Sequence, residues 1–295
     1  VPDIVAVVTP SKYYKEALIA CAEAGVKGVS TDKPIAARLS DADEMVEICE
    51  SRGVVYAGGV LLRAKNEVQE AAGWLHAGEY GELIGASIIG WGAEISGGGC
   101  QDISVLRLLA DAEVEEIVAW GTHRDAPYWS EEVLARNSDE GLIINARFRL
   151  SNGLECSVFG APTRQRGVDV WSQDSLVRTR WADPPEIYQG FDANGERVRD
   201  ERPYTPYQWS QFNHLAGSTR SFLASLETGS KLWISGHDLR QALEVAIAAR
   251  LSVQLGSVPV KLPLEDRSLT LYPVPSRWLG GDETEEGRSE KMLFW

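Results

Sequence analysis

The chain has 295 residues, enough for one large domain or two of ordinary size. Its formal net charge of −14 argues against nucleic acid and anionic membranes as partners, because both carry negative charge themselves. No apolar run approaches the ~20 residues that a helix needs to span a bilayer, and the chain opens on a core-type strand rather than a signal peptide. We therefore expect a globular, cytoplasmic protein without membrane contact.

The cysteines give no sign of a metal site. Cys21, Cys49, Cys100 and Cys156 lack the C-x-x-C spacing of zinc ligands. Scattered cysteines are typical of buried, reduced thiols in a cytoplasmic protein. We therefore predict that the protein binds no metal through these residues.

The N-terminal part of the chain alternates between strand and helix patterns. The continuous apolar run from Asp3 to Val8 is typical of a parallel strand buried on both faces. A helix is predicted over Tyr14–Ala24, a second strand over 26–30, a helix capped by Ser40, and a third strand over Val54–Val60. Because crossovers between such strands are right-handed, this β-α-β-α-β series predicts a parallel three-stranded layer.

Beyond a predicted helix at Glu67–His76 the pattern changes to short strands separated by turns. The turn at Ser151-Asn152-Gly153 is a hairpin signal, and a short helix is expected at Ile103–Ala110. This part of the chain predicts one mostly antiparallel sheet. Its strands are predicted at Leu83–Trp91, Glu115–Gly121, Leu142–Leu150, Leu154–Gly160, Val168–Trp181 and Glu186–Phe191.

Two helices return late in the chain. The first is predicted over Trp209–Thr228, and the second is capped by Ser235 and Asp238 and runs to Leu255. The fold class is α/β: a partial Rossmann layer, then an open, mostly antiparallel α+β sheet domain, then an irregular tail. The apolar end of the tail is expected to dock on this subunit or on another. These units are placed at residues 1–80, 81–264 and 265–295, and the apolar end is Met292 to Trp295.

Four short stretches lie where the chain leaves a strand or enters a helix. They are Thr9-Pro10, Asp32-Lys33-Pro34, Gly59 to Arg63 and Gly97 to Asp102. In this order and spacing they resemble the T-P turn, the E-K-P motif, the arginine-ending segment after strand six and the G-G-x-x-x-D motif of the Gfo/Idh/MocA family. Those proteins are NAD(P)-dependent oxidoreductases, mostly of sugars, inositols and related polyols. The resemblance covers Asp3 to Leu264.

The resemblance implies a role for Lys33, which in the family touches the substrate hydroxyl and the nicotinamide ribose. An ammonium group can orient an oxygen and stabilise the negative charge that develops as its proton leaves. The alternative is a solvated lysine at a strand end. The resemblance also implies a site for NAD or NADP, in which Arg63 either positions an anionic group or is structural. The implied cofactor-binding residues are Thr9, Pro10, Ser11, Tyr14, Asp32, Lys33, Pro34 and Arg63.

The family's catalytic histidine is missing. In the family an aspartate and a histidine share one helical face as D-x-x-x-H, but this chain has Asp102 followed by Leu106. Asp102 either binds substrate hydroxyls or caps the helix. Tyr14 replaces a second family histidine, in T-P-x-x-x-H, and is interpreted mainly as a packing residue. His214, on the first late helix, is the candidate for a replacement base. The other histidines, His76, His123 and His237, match no catalytic position.

Two functional hypotheses remain open. The chain shows no G-x-G-x-x-G motif, and we expect that motif, with the acidic residue that reads the ribose, in two βα units before Val1. The first hypothesis is hydride transfer between a sugar or polyol hydroxyl and NAD(P), with Lys33, Asp102 and His214 as the catalytic residues. The alternative is a truncated relative without dinucleotide binding, acting as a non-redox enzyme or as a binding or assembly subunit. The sheet face is expected to form a homodimer or homotetramer.

Overall fold

The computed structural model of the chain contains two β-sheets, one of three strands and one of nine. Within the described ranges, no helix combines the length and apolarity that crossing a membrane requires. The structure describes residues 1–59, 62–91, 94–123, 137–139, 141–181, 183–206 and 213–280.

The first sheet is parallel and confirms the predicted layer. Strands β1 (Ile4–Val7), β2 (Gly28–Thr31) and β3 (Val55–Gly58) lie in that order. Helices α1 (Tyr14–Glu23) and α2 (Leu39–Ser51) form the two crossovers. The parallel register aligns all four residues of β2 with both of its neighbours. The central strand β2 is therefore largely buried, whereas β1 is mostly exposed although its sequence is the more apolar. The expectation that the Asp3–Val8 run is buried on both faces is wrong, because β1 lies at the edge of the described sheet, with one neighbouring strand.

The start of α2 differs from the prediction. Ser40 was expected to cap this helix, but the N-cap position is Arg38, and its side chain makes no capping hydrogen bond. The N–H groups of Leu39 and Ser40 instead donate to the backbone carbonyls of Leu269 and Arg267, at 3.1 and 2.8 Å. The prediction was wrong because a segment more than 200 positions away supplies the acceptors that a local side chain usually provides.

The second sheet is mostly antiparallel, as predicted, and has the order β11-β10-β9-β8-β4-β7-β6-β5-β12. Only the β4–β7 pair is parallel among the described pairings. Its strands are β4 (Gly85–Ile89), β5 (Val114–His123), β6 (Leu142–Leu150), β7 (Glu155–Phe159), β8 (Gly167–Trp171), β9 (Ser175–Arg178), β10 (Glu186–Phe191), β11 (Arg197–Arg199) and β12 (Val260–Lys261).

The strand predicted over Val168–Trp181 is in fact two strands, β8 and β9, separated by a tight polar turn. The hydroxyls of Ser172 and Ser175 lie 2.7 Å apart in this turn, and Ser175 also donates to the Tyr80 carbonyl at 2.7 Å. The short β11, which pairs with β10, was not predicted either. Its three residues, Arg197–Arg199, are all exposed, so the apolar alternation that identifies a half-buried strand is lacking.

Four longer helices pack around and between the sheets. They are α3 (Asn66–His76), α4 (Cys100–Ala110), α5 (Asn213–Thr228) and α6 (Gly236–Gln254). The predicted capping box of α6 is confirmed: Ser235 accepts from the Asp238 N–H while the Asp238 carboxylate accepts from the Ser235 N–H. The predicted start of α5 at Trp209 lies outside the described residues. Helix α6 is largely buried and contacts α2, α4 and β5, so it joins the two sheets.

The predicted irregular tail is partly ordered by contact with the N-terminal layer. Thr270 pairs with Arg38 in an isolated bridge, and Leu271 is fully buried. A short helix, α7 (Pro275–Trp278), follows. It reaches the first sheet because the Ser11 hydroxyl donates to the carbonyl of Arg277 at 3.0 Å. The docking predicted for Met292 to Trp295 falls outside the described residues.

Candidate functional site

The carboxyl ends of the first two strands meet at one edge of the parallel sheet. β1 leads into Thr9-Pro10 and β2 leads into Asp32-Lys33. Open α/β sheets bind ligands in the crevice outside this edge, and a cavity of about 490 Å3 lies there. It brings together five of the residues predicted to bind a cofactor. Its lining is Val8, Thr9, Pro10, Tyr14, Asp32, Lys33, Ser276, Arg277, Leu279 and Gly280.

Lys33 and Asp32 present unsatisfied polar atoms beside this cavity. Lys33 is half-exposed, and among the described residues it has no hydrogen bond or ion pair. The Oδ1 atom of Asp32 is buried, and it too lacks a partner there. A Cβ atom on Gly59 would lie 2.7 Å from the Asp32 Cα, so only glycine permits this close approach of the chains. The edge of the sheet therefore offers one cationic donor and one acceptor to a ligand.

Three of the residues predicted to bind the cofactor, Ser11, Tyr14 and Pro34, contribute to the packing of the fold. Burial foremost, with the Asp32 charge second, raises the pKa of Tyr14 to about 12, so its phenol is neutral at pH 7. Tyr14 both lines the cavity and belongs to the hydrophobic core, which supports the packing interpretation. Ser11 is buried and holds the Arg277 carbonyl. Pro34 is buried behind a cis peptide bond with Lys33 and is not in the lining.

Arg63 does not lie at the cavity. Its side chain is 9% exposed, and its Nη1 atom lies 2.7 Å from Oδ1 of Asp238. Nη1 of Arg107 lies 3.1 Å from the same oxygen, and Arg107 also binds Glu113 through two nitrogens, each at 2.6 Å. Of the two interpretations of Arg63, the structure supports the structural one, and we leave this residue out of the site proposed below.

Asp102 is fully buried in the first turn of α4. Its N-cap interpretation is wrong, because Gly99 is at the N-cap and Asp102 lies three positions further on. Nη2 and Nε of Arg166 hold the Asp102 Oδ2 atom at 2.6 and 2.9 Å. Burial raises the pKa of Asp102, while the guanidinium opposes that rise. Its Oδ1 atom is buried without a partner among the described residues.

The contacts around Arg166 were not predicted from the sequence. The guanidinium of Arg166 lies 4.9 Å from the centre of the Trp181 ring, in a cation–π contact. The carbonyl of Trp181 accepts a hydrogen bond of 2.7 Å from Nζ of Lys65. These three residues and Asp102 form one polar wall. Arg166 and Asp102 are 64 positions apart in the chain, and Lys65 and Trp181 are 116 positions apart. No local motif could therefore have revealed these contacts.

His214 lies in the first turn of α5, where the charges of two lysines act on it. Burial lowers the pKa of His214, and the positive charges of Lys65 and Lys33 lower it further. Its Nδ1 atom is buried without a hydrogen-bond partner among the described residues. Leu106, at the family's histidine position, is fully buried in the core. The charge of Lys33 therefore links His214 to the predicted site through space.

Two other histidines, His76 and His237, make hydrogen bonds away from the cavity. A ring nitrogen of His76 lies 2.8 Å from the Leu108 carbonyl, and one of His237 lies 2.5 Å from the Glu50 carboxylate, both on exposed surface. His123 ends β5. In the part of the chain that the structure describes, no three His, Cys, Asp or Glu side chains cluster closely enough to hold a metal ion.

Sequence comparison connects the N-terminal layer with known proteins. Residues 1–60 match the model of an oxidoreductase family with an NAD-binding Rossmann fold. The chain is 35% identical over 82 residues to 2,7-anhydro-N-acetylneuraminate hydratases of Mediterraneibacter gnavus and of Escherichia coli. Each match covers 28% of this chain and 22% of the relative. The matched segment thus spans just over a fifth of the curated relatives.

Structural comparison extends over most of the chain. An aldose-aldose oxidoreductase from Caulobacter crescentus aligns with a TM-score of 0.68 at 19% identity, covering 88% of this chain and 79% of that one. A putative myo-inositol dehydrogenase from Sinorhizobium meliloti aligns with a TM-score of 0.65 at 17% identity, covering 88% of this chain and 81% of that one. A myo-inositol 2-dehydrogenase from Lactobacillus plantarum aligns with a TM-score of 0.64 at 19% identity, covering 88% of this chain and 80% of that one. These similarities establish a shared two-sheet fold.

Proposed function

We propose, from the Gfo/Idh/MocA-type match of residues 1–60 and the fold shared with sugar and inositol dehydrogenases, that this protein is an NAD(P)-dependent oxidoreductase of a sugar or polyol hydroxyl. The observation that carries the proposal is Lys33, which lines the cavity at the carboxyl edge of the parallel sheet with no partner among the described residues and whose charge also acts through space on His214. A cation without a partner and an uncharged imidazole are the two groups that removal of a hydroxyl proton requires.

The residues at the cavity fit the nicotinamide-ribose part of a dinucleotide. The unsatisfied Asp32 Oδ1 atom accepts from a ribose hydroxyl, and Lys33 donates to a ribose or substrate oxygen. Thr9 and Pro10 form the cavity wall at the end of β1. When bound, NAD(P) supplies the acceptor for a hydride.

The side chains of the protein handle the substrate hydroxyl and its proton. Lys33 orients the hydroxyl oxygen and stabilises the negative charge that grows on it. His214 is neutral at pH 7 because its pKa is lowered, so it accepts the hydroxyl proton. The unpartnered Oδ1 atom of Asp102 accepts from a neighbouring substrate hydroxyl and fixes the orientation of the ring.

A second candidate function follows from Leu106. A leucine cannot transfer a proton, and it stands where the family's histidine does. If His214 does not replace that histidine, the chain acts without redox chemistry, as a non-redox enzyme or as a binding or assembly subunit. Binding of the dinucleotide and turnover separate the two candidates.

The test measures binding first and turnover second. Fluorescence of NADH and NADPH, titrated with the purified protein, is expected to show saturable binding of at least one of them. A panel of inositols and hexoses with NAD+ and NADP+ is then expected to give reduced nucleotide, read at 340 nm. Absence of both signals removes the oxidoreductase proposal. Binding without turnover, unchanged by Lys33→Met, removes the assigned site.

A further inference from the structure

Lys65 is a buried cation that has no carboxylate at ion-pair distance in the part of the chain that the structure describes. The residue is 7% exposed and directly precedes α3. Its Nζ atom donates to the carbonyl of Trp181 at 2.7 Å. Burial lowers its pKa, and the nearest opposing charges among the described residues, Glu67 and Asp183, act on it only through space. A buried charge that lacks a counter-ion is costly, so it is retained where a ligand supplies the counter-ion.

The position of Lys65 relates it to the proposed site. Lys65 follows Ala64, whose carbonyl lies against Gly217 of α5, the helix that carries His214. The charge of Lys65 lowers the pKa of His214 more than that of Lys33 does. Through the Trp181 carbonyl and ring, Lys65 belongs to the same wall as Arg166, whose own charge is neutralised by Asp102. Lys65 therefore contributes an uncompensated positive charge beside the imidazole that is proposed to accept the proton.

We propose that Lys65 binds the carboxylate of an acidic sugar, so that the substrate is a sugar or polyol carrying a carboxylate group. A lysine has three N–H donors, and the Trp181 carbonyl occupies one. Two donors remain, which matches the two oxygens of a carboxylate. The overall charge of −14 repels anions, so a local cation is needed to admit one.

This inference deepens the proposed function and rests on it for the position of the reacting carbon, but the binding step can be measured without turnover. The probes are D-glucuronate and D-galacturonate, each with its neutral methyl ester, D-gluconate with neutral D-glucitol, and D-glucose 6-phosphate. Isothermal titration calorimetry measures the affinity of each probe, with and without NAD+. At least one acid is expected to bind 10-fold or more tightly than its neutral partner.

Three variants assign that preference to Lys65. Lys65→Met is expected to bind the acid and its neutral partner equally, whereas Lys65→Arg retains a preference because the charge remains. Lys231→Met is the matched control, since Lys231 is exposed, and it is expected to behave as the wild type. Thermal unfolding of all three variants verifies that the comparison is made on folded protein.

Three outcomes overturn the proposal: no acid binds more tightly than its neutral partner, Lys65→Met keeps the preference, or the sugar phosphate binds more tightly than every carboxylate. Failure of the oxidoreductase proposal has a different signature. In that case no nucleotide binds and no probe is turned over, while the acid preference and its loss in Lys65→Met persist.

Discussion

Two groups of charged side chains in this molecule are partnered very differently. Around Asp238, Arg63 and Arg107 approach one carboxylate oxygen at 2.7 and 3.1 Å. Around the cleft, Lys33 and Lys65 have no carboxylate at ion-pair distance among the described residues. The Asp238 cluster joins α6 to α4 and to the chain before α3, so it holds the fold together. Charges left without a partner mark the place where a ligand completes the structure.

The largest effect is expected from removing the centre of the paired cluster. Asp238→Ala leaves Arg63 buried without its counter-ion and removes half of the α6 capping box. We expect the free energy of unfolding to fall by about 3–5 kcal/mol, measured by urea denaturation. Asp3→Ala breaks an exposed ion pair with Lys27 and serves as the control, with no measurable change expected. Equal stability of the two variants would contradict the structural role of the cluster.

Lys33 tests the unpaired group, and its effect is expected on activity rather than on stability. Lys33→Met removes the donor that stabilises charge on the substrate oxygen, and kcat is expected to fall about 10²–10³-fold. Urea denaturation should give an unchanged free energy of unfolding, because no described residue loses a partner. Lys27→Met is the control, since that lysine is exposed and lies at the opposite end of β2. A stability loss that matches the activity loss would assign Lys33 to the fold.

The pH dependence of kcat tests the role of His214 beside the unpaired lysines. Burial and the two lysine charges hold the pKa of His214 below its usual value, so its neutral, proton-accepting form predominates at pH 7. Oxidation is expected to increase as the pH rises through that lowered pKa and then to level off. His214→Gln should reduce kcat by about 10²-fold or more and abolish this rise of kcat with pH, the acid limb of the profile. Lys65→Met should move the limb to higher pH in kcat profiles, because one of the charges that lower the pKa is gone.

Asp139 provides a pH test of a buried acid outside both groups. Burial, with the nearby Glu94 charge second, raises the pKa of Asp139 to about 8, while Ser96 donates to it from N–H and hydroxyl at 2.7 and 2.6 Å. The folded state therefore keeps a proton that the unfolded state releases near pH 4. Stability should decline between about pH 4 and pH 8, by up to about 1.4 kcal/mol per pH unit.

The measurement for Asp139 is the free energy of unfolding of wild type and Asp139→Asn at several pH values across that window. The asparagine cannot ionise, so the variant should be less pH-dependent than the wild type. Parallel curves for the two proteins would show that Asp139 is ionised in the folded state.

The smallest effect is expected for Lys65→Met on stability. The variant loses one hydrogen bond to Trp181 but also removes a buried charge without a counter-ion. These contributions oppose each other, so we expect a change of less than about 1 kcal/mol in the absence of ligand. Thermal and urea unfolding measure it. A loss of several kcal/mol, like that expected for Asp238→Ala, would place Lys65 with the paired cluster instead.

The sequence predicted those parts of the fold and site that local pattern determines. β1, β2 and β3 are short apolar runs between helices, and Lys33 lies in a motif at a strand end, so both were found. The α6 capping box was found because its two residues are three positions apart. Contacts between distant segments were not found. The carbonyls that cap α2, and the pairing of Arg166 with Asp102, depend on the folded arrangement of the chain.

The wall of the cavity combines segments from opposite ends of the described chain. Residues 9–33 form one side and residues 276–280 form the other, and Ser11 bonds to a residue 266 positions later. During synthesis the early segment emerges and begins to fold long before its counterpart exists. The ribosome must therefore translate nearly the whole described chain before this cavity can close. Premature release is expected to yield a chain that forms the parallel layer but lacks one side of the cavity.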